Sequence, residues 1–268
     1  MIKPSTPWIR PLNRVTQPRL ILFAFPHAGG GASSFHAWTR FVPADVALYA
    51  IQYPGRETRI AEVPVGSMQE MIPVLAQAIT PFLQRPSIFF GHSLGAMVAF
   101  ETVQFLAKQK APLPQHLFVS AARAPHVPVW HEPYHKLPGE QFWQKLKELN
   151  GTPTAVFQHP EFKALFEPML RADFALAETY FKPEPDPIHI PLTALAGMQD
   201  THVALDDVLA WASHTTALFR HHHIQGDHFF IQAQAATVTS ILLNYTYSVI
   251  GFKSRDQGGS ANGLAKNL

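Results

Sequence analysis

Short apolar runs alternate with amphipathic segments along this chain of 268 residues. Six runs have the length of a β-strand, and most are apolar on both faces, which is typical of strands buried in a parallel sheet. These runs are Leu20–Phe25, Ala47–Gln52, Ser87–Phe90, Gln115–Ser120, Leu192–Ala196 and Phe219–Ile224. Because helical patterns separate them, the chain is predicted to form an α/β fold with a doubly wound, mostly parallel sheet.

Three segments between these runs show the apolar period of a helix. The first follows a capping-box pattern that begins at Ser67, and Pro73 should kink it. The second is Ala96–Lys108, and the last begins at about Phe229. Their positions after strands are those of crossover helices.

The segment Arg123–Ile190 breaks this rhythm, since it holds ten of the 24 prolines. Prolines at that density predict only short helices, which we place at Gly139–Leu149, Pro160–Leu165 and Glu167–Tyr180. A helical insertion between two strands of such a sheet commonly forms a lid over the strand ends. A structural cap without a gating role is the alternative interpretation.

Composition narrows the class of protein. The net charge is only +2 and no basic stripe is present, so we expect no nucleic-acid partner. The absence of cysteine excludes disulfides and thiolate sites and is compatible with the cytosol. No signal-peptide core and no apolar run of membrane-spanning length occurs. We expect a cytoplasmic protein with one domain over residues 1–252 and a disordered tail over 253–268, and we expect it to be a monomer.

A G-x-S-x-G pattern, Gly91-His92-Ser93-Leu94-Gly95, directly follows the predicted strand Ser87–Phe90 and precedes a helix. In that context the pattern predicts a sharp turn that exposes the serine hydroxyl, with glycines that allow close backbone approach. Ser93 is therefore our candidate nucleophile. A glycine-rich turn in a packed α/β protein is the alternative.

A serine nucleophile needs a general base, and the base needs an orienting acid. Asp200 and His228 each follow a predicted strand, so both should emerge at the carboxyl edge of the sheet, where the Ser93 turn also opens. His228 is the candidate base and Asp200 the candidate acid, although Asp200 could instead cap a helix. Four other aspartates compete for the role of acid: Asp173, Asp206, Asp207 and Asp227.

The oxyanion that forms on the substrate needs two preorganised donors. We predict the backbone N–H of Leu94, which follows the nucleophile, and that of Ala28 in the glycine-rich loop Pro26–Gly31. The same loop could instead cradle phosphate, but it matches neither the dinucleotide fingerprint nor the P-loop.

Histidine is frequent in this chain, with 15 residues, and most need no catalytic role. The tract His221–His223 lies in a predicted strand, where only alternate residues share a face, and no acidic partner is evident. His27 and His92 are expected to pack or hydrogen-bond beside the site. We expect no metal site and no cofactor-binding residue.

Six motifs occur together between residues 25 and 230, within a similarity that covers roughly residues 8–250. They are Phe25-Pro26-His27-Ala28-Gly29-Gly30-Gly31, Tyr53-Pro54-Gly55-Arg56-Glu57-Thr58-Arg59, Leu149-Asn150-Gly151-Thr152-Pro153, Leu170-Arg171-Ala172-Asp173-Phe174, Gly226-Asp227-His228-Phe229-Phe230 and the serine motif. Together they resemble the type II thioesterases, the stand-alone α/β-hydrolase enzymes of nonribosomal peptide and polyketide synthesis. The block Tyr53–Glu57 discriminates best, because general esterases lack it.

The resemblance implies a catalytic triad of Ser93, Asp200 and His228, with the oxyanion hole at Ala28 and Leu94. It implies acyl or aminoacyl thioesters on the phosphopantetheine arms of acyl or peptidyl carrier proteins as substrates, cleaved through an acyl-serine intermediate. Such enzymes remove misloaded or stalled groups in antibiotic biosynthesis. The carrier proteins would be the partners, and the enzyme itself would need no cofactor.

Two departures from the family pattern occur: Leu94 replaces a frequent methionine and Thr201 a frequent proline. Arg56 and Arg59 are expected to hold a loop near the site rather than to contact substrate. Two other functions stay open. One is a general carboxylesterase or lipase with the same triad, and the other is a non-catalytic binding protein on the same scaffold.

Overall fold

A central β-sheet organises the computed structural model, which describes residues 6–250 and the side chains of residues 6–247. Within these residues the strands are β1 (Ile9–Pro11), β2 (Leu20–Phe25), β3 (Val46–Ile51), β4 (Ser87–His92), β5 (Leu117–Ser120), β6 (Leu192–Gly197) and β7 (Phe219–Ile224). Their spatial order is β1-β3-β2-β4-β5-β6-β7. All neighbours are parallel except β1 and β3. The predicted mostly parallel sheet is confirmed, and the predicted tail 253–268 lies outside the described residues.

Helices cover both faces of the sheet. They are α1 (Met68–Ile79), α2 (Leu94–Lys108), α3 (Gly139–Glu148), α4 (Thr154–Gln158), α5 (Pro160–Thr179), α6 (Leu205–Leu209), α7 (Phe230–Ala233) and α8 (Ala235–Ile250). One apolar core contains the buried faces of α1 and α2, and a second contains those of α8 and the 3₁₀ segment Ala32–Arg40. The sheet is therefore doubly wound, as predicted. No helix in the described part of the chain could cross a membrane.

The edge strand β1 was not predicted. It pairs antiparallel with β3, with Ile9 opposite Ile51. Of its three residues only Ile9 is buried, so the segment lacks the apolar run that marks the other strands.

The insertion between β5 and β6 contains α3, α4 and α5 around its own small core. The two helices predicted at 160–165 and 167–180 form the single helix α5, with Pro168 in its interior. The expectation of short helices only is therefore wrong for this segment. A proline costs a helix about 3 kcal/mol, but the next residues Met169 and Leu170 are buried in the insertion core, and their packing stabilises the continuous helix.

Two local predictions at helix boundaries are also wrong. The Ser67 hydroxyl donates to the Gln69 side chain at 3.0 Å, and α1 begins without a side-chain cap, so no capping box forms. The final helix is interrupted at Gln234, which separates α7 from α8. The capping-box pattern and the apolar period of the last helix are both local. Neither pattern shows which other hydrogen bonds form in the folded chain.

The turn between β4 and α2 brings backbones into close contact. Ser93 lies there with φ 54° and ψ −120°, which is strained for a residue with a Cβ. A Cβ on Gly91 would lie 2.2 Å from the Gly95 carbonyl oxygen, and one on Gly95 would lie 2.1 Å from that of Phe25. The predicted strand–turn–helix context of Ser93 is confirmed, and both glycines are required by space.

Two of the described histidines, His116 and His214, are buried away from the turn and the site around it. His116 stacks on Phe118 with 4.1 Å between ring centroids, and its Nε2 lies 2.8 Å from the Thr193 hydroxyl. Burial, helped by the positive charge of Arg220, lowers the His116 pKa to about 4. His116 is therefore neutral in the folded protein at pH 7.

We expect Gly95→Ala to destabilise the fold by about 3 kcal/mol, because the new methyl group would overlap backbone that cannot move aside. The matched control is Gly139→Ala, since no atom lies within 4 Å of that Cβ and alanine favours the helix. Soluble yield and thermal unfolding followed by circular dichroism measure both variants. Equal stability of the two variants would contradict this account of the turn.

We expect acid to weaken the fold partly through His116. Its folded pKa lies below the unfolded value of 6.5, so stability is lost as the pH falls from about 6.5 to about 4. The stability difference between the parent and His116→Gln should narrow by on the order of 2 kcal/mol between pH 7 and 4.5. Urea unfolding at both pH values measures the difference, and a gap that does not change with pH would disprove the role of His116.

Candidate active site

A cavity of about 560 Å³ lies between the carboxyl edge of the sheet and the insertion. Ser93, Ala28 and His228 line it from the sheet side. The insertion contributes mainly apolar and aromatic side chains, among them Tyr134, Leu146, Val156, Met169 and Phe174. The insertion therefore covers the carboxyl ends of the strands, where the sequence predicts the catalytic residues.

The structure brings His228 and Asp200 together. Nδ1 of His228 donates a hydrogen bond to Oδ2 of Asp200 at 2.8 Å. The other oxygen, Oδ1, accepts the backbone N–H groups of His202 at 2.8 Å and Val203 at 3.2 Å. With both carboxylate oxygens occupied, the acid fixes the imidazole tautomer and leaves Nε2 as the nitrogen that can take a proton.

Asp200 is held in its charged form. Its side chain is only 2% exposed, and burial alone would raise its pKa. The hydrogen bond and charge of His228, together with the N–H groups of His202 and Val203, outweigh burial and lower the Asp200 pKa below its usual value. Asp200 therefore stays ionised and can stabilise an imidazolium at His228.

Three further histidines surround His228 without a carboxylate partner of this kind. Burial, then the positive charges of His228 and Arg56, lowers the pKa of His27 to about 4. Burial and the charge of His228 also lower the pKa of His92 and of His202. These rings remain neutral at pH 7. The rings of His27 and His92 pack against each other with 5.8 Å between their centroids, which agrees with the packing or hydrogen-bonding role expected of them.

Ser93 faces the cavity from the β4–α2 turn. Its N–H donates to the Ser120 carbonyl at 2.8 Å, which anchors the turn to β5. Among the described residues, the Ser93 hydroxyl has no hydrogen-bond partner. Hydrogen bonds between a nucleophile and its base are often long before substrate binds and tighten in the complex.

Two backbone N–H groups are available for an oxyanion. Leu94 is the first residue of α2, and its N–H has no acceptor within the helix. The Ala28 N–H likewise has no acceptor among the described residues, and both residues line the cavity beside Ser93. Unpaired N–H groups at this place fit the predicted oxyanion hole, since burying them without a partner would otherwise cost free energy.

The loop that carries Ala28 is held by a buried ion pair. Nη1 and Nη2 of Arg56 donate to the Asp173 carboxylate at 2.6 and 2.7 Å. The same carboxylate accepts the Gly29 N–H at 2.7 Å, and Arg56 also donates to the Gly30 carbonyl at 3.0 Å. Arg56 thus holds the loop, as expected. This role of Asp173 was missed; its only signal in the sequence was its place in the motif Leu170–Phe174.

Arg59 has the structural role expected of it. It donates to the Gln52 carbonyl at 2.8 Å, forms an ion pair with Glu62 and lies over the Trp8 ring at 4.4 Å. Gln52 in turn accepts the Ala32 N–H, so Arg59 supports the loop from outside the cavity.

None of the remaining candidate residues is bonded to His228, although Asp207 also lines the cavity. Among the described aspartates, Asp200 is the one bonded to His228, while Asp227 accepts the N–H of Phe229. The rings of His221 and His223 lie 5.4 Å apart, and His222 bonds to the Tyr245 hydroxyl instead. No group of three or more potential metal ligands occurs in the part of the chain that the structure describes.

Comparisons with known proteins agree with this geometry. Residues 20–246 match the thioesterase domain family. The chain is 40% identical over 224 residues to the gramicidin S biosynthesis protein GrsT of Aneurinibacillus migulanus, covering 84% of this chain and 88% of that protein. It is 36% identical over 256 residues to the linear gramicidin dehydrogenase LgrE of Brevibacillus parabrevis, covering 94% and 97%.

A solved structure extends the agreement to three dimensions. YbtT, the type II thioesterase of the yersiniabactin NRPS/PKS biosynthetic pathway, superposes with a TM-score of 0.82 at 28% identity, covering 90% of this chain and 99% of that chain. The chain therefore belongs to the thioesterase domain family, as an α/β-hydrolase of the type II thioesterase kind.

Proposed function

We propose that this protein hydrolyses acyl or aminoacyl thioesters from the phosphopantetheine arms of carrier proteins in a nonribosomal peptide or polyketide pathway. It would thereby remove misloaded or stalled groups. The observation that carries the proposal is the meeting of Ser93, the His228–Asp200 pair and two unpaired N–H groups in one cavity. The similarity to GrsT of gramicidin S biosynthesis and to YbtT of the yersiniabactin pathway supports the pathway class.

The first half of the reaction forms an acyl-serine. Oγ of Ser93 attacks the thioester carbonyl while Nε2 of His228 takes the hydroxyl proton. The N–H groups of Ala28 and Leu94 bind the oxyanion. The C–S bond then breaks, and the pantetheine thiolate receives the proton from His228.

The second half releases the acid. A water molecule gives a proton to His228 and attacks the acyl carbonyl. The bond from the carbonyl carbon to Oγ then breaks, and His228 returns the proton to Ser93. The products are a carboxylic acid and a carrier protein with a free thiol. These steps use only groups of this chain and water, so we propose no cofactor.

The cavity suits an acyl group. Its volume of about 560 Å³ lies within the range of small-molecule sites. The insertion side is formed by apolar side chains such as Leu146, Val156 and Met169, which would contact the acyl chain. Trp130 also lines the cavity yet is 77% exposed, which places it at the opening to solvent.

The name of the relative LgrE suggests a second candidate reaction, because a dehydrogenase transfers hydride. A dinucleotide would bind at the glycine-rich loop after the first parallel strand. Here that loop has no G-x-G-x-x-G spacing, and its N–H groups at Gly29 and Gly30 already donate to Asp173 and to the His27 carbonyl. These observations favour hydrolysis.

The carrier protein as partner, the cytosolic location and the monomeric state are parts of the same proposal. The net charge of +2 and the absence of cysteine are compatible with them. Gel filtration alone and with an acylated carrier protein tests the monomer and the complex together.

We expect Ser93→Ala to lower hydrolysis of an acyl-carrier thioester by about 10⁴-fold or more, because no other hydroxyl replaces the nucleophile. Release of free thiol measures the rate. The parent should also show a higher kcat/KM for the acyl-carrier thioester than for a p-nitrophenyl ester of the same acid. Full activity in Ser93→Ala would refute the mechanism, whereas a preference for the simple ester would favour a general esterase.

We expect Asp200→Asn to lower kcat by about 10⁴-fold, because the imidazole loses its correct tautomer. Asp206→Asn, an exposed aspartate in α6, is the matched control and should retain activity. Because the Asp200 pKa lies below its usual value, Asp200 should stay ionised on the acid side of the pH profile. A plot of log kcat against pH for the parent should therefore have the slope expected for the titration of one group there. A slope of two protons would contradict this assignment of charge.

A further inference from the structure

We infer that Asp173 in α5 is a positioning residue for the oxyanion hole, because it fixes the loop that presents the Ala28 N–H. The insertion would then be part of the catalytic apparatus as well as the wall of the acyl cavity. The inference rests on the proposed function in assuming an acyl oxyanion at Ala28 and Leu94, and it holds for an ester as well as for a thioester.

The contact is direct, and the carboxylate that makes it is buried. The Asp173 side chain is 1% exposed, and its Oδ2 accepts the Gly29 N–H at 2.7 Å. That N–H belongs to the peptide group that joins Ala28 to Gly29. The carboxylate therefore fixes the plane of the peptide that follows the oxyanion donor.

The peptide on the other side of Ala28 is fixed as well. The His27 carbonyl accepts the Gly30 N–H at 2.9 Å. In a trans peptide the C=O and N–H groups point in opposite directions. Holding the His27 carbonyl therefore aims the Ala28 N–H away from the loop. With both peptide planes held, the donor has a defined direction.

Arg56 makes this use of a carboxylate possible. An unpaired negative charge so close to a developing oxyanion would oppose it, since the interaction is strong where water is excluded. The bidentate hydrogen bonds from Arg56, at 2.6 and 2.7 Å, neutralise the charge of Asp173, whose carboxylate can still accept the Gly29 N–H. Arg56 also binds the Gly30 carbonyl, so both ends of the short turn are anchored.

The same helix also packs on the loop. A Cβ on Gly29 would lie 2.8 Å from Cδ2 of Leu170, and Gly29 itself has φ 77°. Leu170 and Asp173 lie three residues apart on α5 and thus on the same helix face. The same face of α5 therefore contacts the loop both through apolar packing and through the ion-paired carboxylate.

The two oxyanion donors differ in how they are supported. Leu94 belongs to the first turn of α2, so the helix itself fixes its N–H. Ala28 lies in a loop without regular secondary structure, so its direction depends on side-chain contacts. Loss of Asp173 should therefore impair one donor and leave the other intact.

The test compares Asp173→Asn with Glu167→Gln. Glu167 lies in the same helix, and its carboxylate binds Arg171 and the Trp143 indole, both within the insertion. Asp173→Asn should lower kcat about 10²-fold, the size of effect seen when one oxyanion donor is lost, with KM changed less than about 3-fold. Glu167→Gln should keep kcat within about 2-fold, even where its unfolding temperature falls.

A second measurement separates positioning from a general structural role. A trifluoromethyl ketone of the acyl chain adds to Ser93 and forms an oxyanion, so its Ki should rise by the same factor by which kcat falls. Binding of the intact acyl-pantetheine thioester should be equal in Ser93→Ala and in Ser93→Ala/Asp173→Asn. If Asp173→Asn does not fold, Arg56→Lys is measured instead, because it keeps the positive charge but loses the bidentate contact.

Three results would overturn the inference: an unchanged kcat and Ki, a loss carried by KM alone, or an equal loss of kcat in Glu167→Gln. Hydrolysis of the p-nitrophenyl ester needs the same oxyanion hole but no carrier protein. With this ester the role of Asp173 can therefore be tested separately from the proposed function. If the parent prefers the simple ester, the carrier-protein proposal fails, and the role of Asp173 is decided with that ester.

Discussion

The close contact between the β4–α2 turn and β2 is the constraint from which the site follows. Ser93 has a positive φ, a conformation that costs a non-glycine residue of order 1–3 kcal/mol unless its surroundings enforce it. Here Gly91 and Gly95 let neighbouring backbones approach, and the N–H of Ser93 is bonded to β5. The strain of the turn is thus supported by three adjacent strands, and the hydroxyl is carried to the edge of the sheet where the loops after β2, β6 and β7 converge.

Electrostatics then select one base from a site rich in imidazoles. His27, His92 and His202 all lie near His228, and each has a lowered pKa because it is buried and faces a positive neighbour. His228 differs in its bond to Asp200, an ionised carboxylate with both oxygens occupied. The carboxylate therefore distinguishes His228 as the candidate base, while its three neighbours stay neutral.

The parts of this structure that the sequence predicts are those governed by local pattern. Buried strands and the Ser93 turn follow from apolar runs and paired glycines, and the candidate triad follows from loops at strand ends. The sequence does not predict the contact between Asp173 and Arg56, because the two residues are 117 positions apart and no periodic pattern connects them. The continuity of α5 through Pro168 was missed for a related reason: proline penalties are local, whereas the burial of Met169 and Leu170 depends on tertiary packing.

The ion pair between α5 and the loop after β3 also limits how this scaffold could be modified. The insertion could not be exchanged or trimmed to alter the choice of acyl group unless the replacement brought a carboxylate to the same place. A graft without it would leave the Arg56 guanidinium buried and unpaired. Residues 56 and 173 therefore form one structural unit across two segments of the chain, and a chimaeric enzyme should take both from the same parent.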